Sequence, residues 1–369
     1  MTRRLTWAQA LGWRLTRHHL VERAAPSDLL RVVSRLCGLH AQVMSSAELT
    51  LWARIEGLDR NAVQDALWRR RTLVKLWGVR GTLHLLPARE LGVWLSALGT
   101  ITNRGMTGHE EIDALSDAIG DALDGRVLTR EELAREIEER TGDPSLAEYV
   151  RFSWGSYLKP ASFRGLLCFA ESDAGRARFT SPASFVRRPL VRPDPEDALR
   201  DVARRFLSAY APATVDDLGL WSGFGRARAK KMLAALGDEA VELDVGVDRA
   251  WVLAAHVDEL ASADVPDTAR LLPGFDQWVV GTARNLPAQL DPTLKARVYR
   301  PQGWISPVIL VNGRMAGVWR HERKGVRLVV ELEPFGRLPR WARGQLDDEA
   351  NRLAGFLGLE LSPTPPSRR

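Results

Sequence analysis

The apolar spacing of this chain switches from helical to alternating, in the same order, three times, and that recurrence narrows the folds open to it. In the first block Trp7, Ala10, Leu11 and Leu15 stand at helical spacing and predict a helix over 6–18. Pro26, with Ser27 or Asp28 as cap, opens a second helix through Leu29, Leu30, Val33, Leu36 and Cys37. Helices over 47–55 and 61–70 follow, the latter after Asp59. The runs 73–77 and 82–86 then alternate like strands around Gly78-Val79-Arg80-Gly81, which reads as a hairpin turn. Helices followed by a hairpin with a basic tip is the plan of a winged helix.

The second block repeats the plan with acidic helices, expected over 110–123, 130–139 (capped by Thr129) and 145–158. A strand pair, 165–169 and 178–180, closes it, and the proline-rich stretch 188–195 reads as a linker. In the third block helices are expected over 196–210, 214–221 and 226–236, with N-cap chemistry in Thr214-Val215-Asp216-Asp217. From Val241 onward strand-like runs dominate: 241–247, 251–255, 278–280, 308–311, 317–319 and 326–332. A last helix over 346–357 precedes a basic Pro-Ser-Arg tail, expected to be disordered. The fold class is therefore α+β, with tandem winged-helix (helix-turn-helix) domains and a β-rich, barrel-like C-terminal elaboration. The expected divisions are 1–100, 101–187 and 188–369.

At 369 residues, two or three domains are the natural expectation. No run approaches about 18 uncharged apolar residues, so no membrane span is expected, and no apolar segment follows Arg3 and Arg4 to make a signal peptide. Cys37 and Cys168 are too few for a disulfide framework or a four-cysteine zinc site, and both lie in apolar stretches. They read as core residues of a cytoplasmic protein. No heptad or zipper marks a dimer, and a monomer is expected.

Charge narrows the partner. The chain carries a net charge of +6, and arginine supplies nearly all of its 52 basic residues. Arginine suits bidentate phosphate contacts, although GC-rich coding also favours it. The distribution is more telling. Residues 1–90 hold 15 Arg and Lys against 7 Asp and Glu, whereas residues 108–150 hold 4 against 13. The first block is where an anionic polymer belongs, and double-stranded DNA is the expected partner.

Motifs of nucleotide hydrolysis, dinucleotide binding, serine hydrolysis and metalloprotease chemistry are absent, and the seven histidines are scattered. No metal site and no organic cofactor are expected. The candidate chemistry is Gly38-Leu39-His40-Ala41-Gln42, at the end of the second helix inside the basic block. His40 and Gln42 are two residues apart, so in extended backbone both side chains point to one side. A histidine can take a proton near neutral pH and an amide beside it can hold a water. The plainer alternative makes His40 the end of the apolar stripe after Leu36 and Cys37, with Gln42 a cap or surface residue. For DNA contact the candidates are Arg69, Arg70 and Arg71 before the hairpin, Lys75 on its first strand, Arg80 at its tip and His84 on its second strand. The arginine triplet also suits a helix C-terminus without any ligand, and His84 also suits a structural role.

Four segments in order carry a resemblance: Gly38–Gln42, Trp77–Pro87, Gly165-Leu166-Leu167-Cys168-Phe169 and Leu271-Leu272-Pro273-Gly274-Phe275-Asp276. In them the chain resembles the AlkZ and YcaQ family of bacterial winged-helix DNA glycosylases over nearly its whole length. That resemblance implies excision of N7-alkylated purines, including bulky natural-product adducts, and in some members the opening of interstrand crosslinks, without full base flipping. The family's catalytic triplet is Gln-apolar-Gln or Gln-apolar-Asp, with a His-apolar-Gln version that here matches His40-Ala41-Gln42. The resemblance thus implies that His40 orients or deprotonates a water and Gln42 holds it or contacts the sugar. The rival function is a winged-helix regulator that binds DNA without chemistry.

Overall fold

The computed structural model describes residues 4–101, 109–152, 155–246, 248–281 and 286–362. The expected disordered tail, 363–369, lies outside them. Helices and sheets alternate as the apolar periods require, in a mixed α+β architecture with three three-stranded sheets and one five-stranded sheet among the described residues.

Helix Trp7–Arg17 begins at a capping box in which Thr6 accepts from the Gln9 backbone N–H and the Gln9 side chain answers the Thr6 N–H. Helix Leu29–Arg35 follows Pro26 with Asp28 in the cap position, but the Asp28 side chain makes no cap bond. The third helix is Met44–Trp52, and the fourth is short, Ala62–Gln64, running into a π-helical turn, Asp65–Arg69. Strands Leu73–Trp77 and Leu83–Pro87 pair antiparallel, and Leu39–His40 adds a third strand beside the second of them.

The next unit has the same strand order: Leu128–Thr129 pairs with Arg176–Thr180, which pairs with Cys168–Asp173. Its helices are His109–Leu123, Arg130–Thr141 and Pro144–Phe152, the second starting at a Thr129–Glu132 capping box. The third unit carries helices Pro195–Tyr210, Val215–Ser222 and Arg226–Ala234 and strands Ala240–Val245 and Asp248–Leu253. A bridge from Ala213 to Trp251 stands where the first two units have their short strand, and Arg4–Leu5 joins the far edge, parallel to Asp244–Val245.

The C-terminal sheet, an open half-barrel, runs Ala269–Leu272, Val308–Val311, Arg314–Lys324, Arg327–Pro334 and Glu360–Leu361 in spatial order, backed by helix Arg340–Leu357. One strand expectation fails here. Gln277–Val280 is a helical turn, because Asp276 caps it by accepting from the Trp278 N–H at 2.8 Å after the Pro273-Gly274 break. The expected helix over 145–158 corresponds to Pro144–Phe152, while 155–158 form a turn that leads into a separate helix, Lys159–Phe163.

Among the described residues two apolar cores form. One joins the second and third units with the inner face of the first unit's hairpin (Val74, Leu76, Leu86). The other joins the first unit (Leu29, Val32, Leu36, Leu39, Trp52, Leu85) to the C-terminal sheet and helix (Leu271, Trp278, Ile309, Leu346). The strand pair bearing Leu39 and Leu85 lies on the seam. Both cysteines are free and buried, and burial pushes the Cys37 thiol up to about 12 and the Cys168 thiol further still. Among the described residues no helix is long and apolar enough to cross a membrane.

Candidate active site

After helix Leu29–Arg35 the chain must reverse sharply. It does so through Cys37 and Gly38, both with positive φ (59° and 91°), while the Gly38 N–H donates to Val33 at 2.9 Å. Gly38 is required here: a Cβ would meet the Leu86 side chain at 2.5 Å. The turn delivers Leu39–His40 onto Leu83–Pro87 with His40 directly opposite His84. Opposed residues of an antiparallel pair share a face, and the two imidazoles meet edge to face with centroids 5.8 Å apart. Ala41 is fully buried and its N–H donates to the Leu83 carbonyl at 2.7 Å. Gln42 emerges exposed, its Oε1 accepting from the Leu83 N–H at 3.5 Å. His40 and Gln42 are thus brought to one strand end with Ala41 turned into the core between them.

The second wall comes from far along the chain. Phe275 stacks on His40 at 4.9 Å and 7°. Its backbone holds φ 60°, a left-handed conformation that costs a bulky side chain on the order of 1–3 kcal/mol and persists only when neighbours over-determine it. They do. Arg54 and Asp276, both wholly buried, form a bidentate pair at 2.7 Å through both guanidinium ends. The Trp319 indole donates to the Leu272 carbonyl at 2.8 Å, and the Gln277 amide donates to the Gly38 carbonyl at 2.5 Å. That last bond ties the segment directly to the turn before His40.

The electrostatics follow from this enclosure. Burial, helped by the nearby Arg80 charge, holds the His40 imidazole down to about 4, so it is neutral at physiological pH. His40 Nδ1 is buried without a hydrogen-bond partner, and so is Gln277 Oε1. A neutral imidazole can accept a proton from water through a ring nitrogen that water reaches, and the exposed Gln42 amide two residues on can hold that water. His84 is fully buried, its Nδ1 2.9 Å from the Thr82 carbonyl, and burial keeps it well below the usual histidine range.

The other sequence-predicted residues are dispersed. Arg69 is exposed and pairs with Asp65 at 3.2 Å, and Arg70 is exposed beside it. Arg71, with φ 52°, turns toward the second unit, donating to the Phe185 carbonyl at 3.2 Å and lying over its ring. With Trp68, Arg178 and Arg187 it lines a cleft of about 440 Å³. Lys75 also faces the second unit, its Nζ 5.4 Å from the Phe169 ring centroid. Arg80, at φ 57°, donates to the Trp221 carbonyl at 2.6 Å and so fastens the hairpin tip to the third unit. His84 stands behind His40. Sequence reasoning singled out His40 and Gln42 but assigned no role to Phe275, Asp276, Gln277 or Arg54. The Pro273-Gly274 turn and the Asp276 cap were the available signal. Among the described residues no three metal-donor side chains cluster.

Comparison with known proteins identifies the setting. The family model for the AlkZ-like DNA glycosylases matches residues 33–356. A relative named interstrand DNA cross-link repair glycosylase, from Streptomyces sahachiroi, is 35% identical over 370 residues, spanning 97% of this chain and 98% of its own. The solved structure of the Streptomyces sahachiroi DNA glycosylase AlkZ superposes with a TM-score of 0.88 at 35% identity, covering 98% of this chain and 100% of that one. A full-length match in sequence and in shape leaves no room for the binding-only alternative: the chain belongs to the AlkZ-like DNA glycosylase family and is an enzyme that hydrolyses N-glycosidic bonds in DNA.

Proposed function

We propose that this glycosylase excises N7-alkylated purines from duplex DNA, bulky adducts and interstrand crosslinks included, with His40 and Gln42 as its catalytic residues. The observation that carries the reading is His40 itself: held neutral under the Phe275 ring, two residues before the exposed Gln42 at the end of one strand. An N7-alkylpurine is cationic, so the bond from N9 to C1′ is already weak. It breaks with its electron pair going to the purine, which leaves neutral, while positive charge develops on the sugar. Water held by Gln42 adds to C1′ and gives its proton to His40. The products are the free base and an abasic sugar. A weakly basic imidazole suffices because the developing oxocarbenium ion makes the bound water acidic.

In this reading each of the three units is a winged helix, supported by the strand order shared by the first two and by the Ala213–Trp251 bridge of the third. The divisions are 1–100, 101–187 and 188–369, the last including the half-barrel that packs on the first unit. One chain acts as a monomer on one duplex, and free, buried cysteines suit a reducing cytoplasm. Arg69 and Arg70 contact phosphate, Arg71, Lys75 and Arg80 set the neighbouring units beside it, and His84 backs His40 from within. The relative's name, which specifies crosslink repair, supports the crosslink part of the proposal.

The test is base release from a duplex carrying one N7-methylguanine. Wild type is expected to release the base, with His40→Ala or Gln42→Ala slower by two orders of magnitude or more. Full activity in both variants, or no release by wild type, overturns the reading.

A further inference from the structure

The stack on His40 does not end at Phe275. Trp304 meets the Phe275 ring edge to face, with centroids 5.1 Å apart. The series His40, Phe275, Trp304 therefore leads from the buried imidazole to the surface in two ring contacts. Trp304 is 54% exposed, and Phe152 is the other tryptophan or phenylalanine among the described residues that is exposed to this degree. An indole costs free energy in water, and most of the other described tryptophans are at least partly covered.

Its mounting is rigid. The Arg300 N–H donates to the Trp304 carbonyl at 2.8 Å and the Trp304 N–H to the Pro301 carbonyl at 3.3 Å. Gln302 and Gly303 both hold positive φ, 61° and 76°, and a bridge from Tyr299 to Ile305 closes the turn. The Ser306 N–H adds a bond to Val298 at 2.9 Å. Below the turn Ile305 and Val298 anchor it in the core shared with the first unit. Arg300, at the foot of the turn, is exposed. A fixed, wet indole beside a cationic side chain, one ring away from the proposed catalytic histidine, suits a planar aromatic group attached to a polyanion.

We propose that Trp304 is the platform on which the planar aromatic part of a bulky N7 adduct rests, making it a specificity-determining residue that favours such adducts over small alkyl groups. The inference rests on the excision of N7-alkylpurines proposed above. An aromatic group projecting from N7 of a guanine positioned at His40 reaches Trp304 with its face or edge, whereas a methyl group does not. Binding of the adduct on the indole then holds the glycosidic carbon against the water at His40 and Gln42.

The experiment uses two duplexes of one sequence, one with N7-methylguanine and one with the N7-guanine adduct of pyrenyloxirane, and compares wild type with Trp304→Ala and Trp304→Phe. Trp304→Ala is expected to lower kcat/KM on the pyrenyl adduct roughly 5- to 150-fold, the range that loss of one stacking contact gives. Activity on N7-methylguanine is expected to stay within about 2-fold of wild type, and Trp304→Phe to recover most of the loss. Equal losses on both substrates would make Trp304 a general DNA contact and overturn the proposal, as would unchanged activity on the pyrenyl adduct. Wild type releasing the methylated base but not the pyrenyl one also overturns it while leaving the parent reading intact. Release of neither base removes both. Thermal melting of both variants within a few degrees of wild type is expected, since the side chain stands outside the core.

Discussion

Replacing Phe275 by alanine removes the ring that roofs His40 and exposes the imidazole to water. His40 is held at about 4 against an ordinary value of 6.5, chiefly by burial and secondarily by the Arg80 charge. At about 1.36 kcal/mol for each unit, the gap is worth roughly 3.4 kcal/mol between the two protonation states. Arg80 and the buried His84 remain in Phe275→Ala, so part of the depression stays. The expected rise is about 1–2 units, bringing His40 to roughly 5–6. Because the folded value lies below the unfolded one, the unfolded chain binds the extra proton between pH 6.5 and 4. The His40 contribution to stability is therefore full above pH 6.5 and lost as pH falls toward 4. Two assays read the change. Proton NMR of labelled histidine follows the His40 ring directly, and single-turnover release of N7-methylguanine gives an acid limb that moves from near pH 4 to near 5–6. The truncation also removes a buried ring, at a cost of about 3–5 kcal/mol, so folding is verified by circular dichroism before titration. An unmoved His40 titration in folded Phe275→Ala would refute the claim that Phe275 sets the charge state of the site.

Three further outcomes are expected. Asp276→Asn leaves the Arg54 guanidinium, wholly buried, without its counter-charge, and urea unfolding should show a loss of about 3–5 kcal/mol; a loss under about 1 kcal/mol would mean the pair does not anchor the Phe275 segment. Arg69→Ala with Arg70→Ala should lessen the slope of log affinity against log salt by about 1.8 on any duplex, and an unchanged slope would remove both from the phosphate contacts. Gly92→Ala would place a Cβ 1.9 Å from the Val191 carbonyl, so thermal scanning should show a markedly lower Tm, and an unaltered Tm would mean the 188–195 segment is not held against helix Leu91–Leu98.

What the sequence made legible was local. Thr6, Thr129 and Thr214 each carry a partner three residues on, and each opens a helix through a capping box. The alternating runs around Arg80 fold into the strand pair they imply. Trp278-Val279-Val280 misled because three apolar residues in a row carry no period, and the neighbouring Asp276 cap decided for a helical turn. Around His40 the chain could reveal the imidazole and the amide but not their enclosure. Phe275 and Gln277 reach the site only when the half-barrel docks on the first unit, and no local pattern records that docking. The same holds for Arg80, whose hairpin-tip position was legible but whose bond to the Trp221 carbonyl of another unit was not.

The bond from Gln277 to Gly38 spans 239 residues of chain, which has a consequence for the order of synthesis. At roughly 5–20 residues per second, a ribosome makes Gly38 about 10–50 s before the segment that roofs the neighbouring histidine. During that interval Leu29, Val32, Leu36 and Trp52 lack the apolar surface that later covers them, although the excess of arginine in residues 1–90 has already been made. A nascent chain thus carries its cationic residues before Phe275 closes over His40, and the half-barrel strands complete that enclosure late.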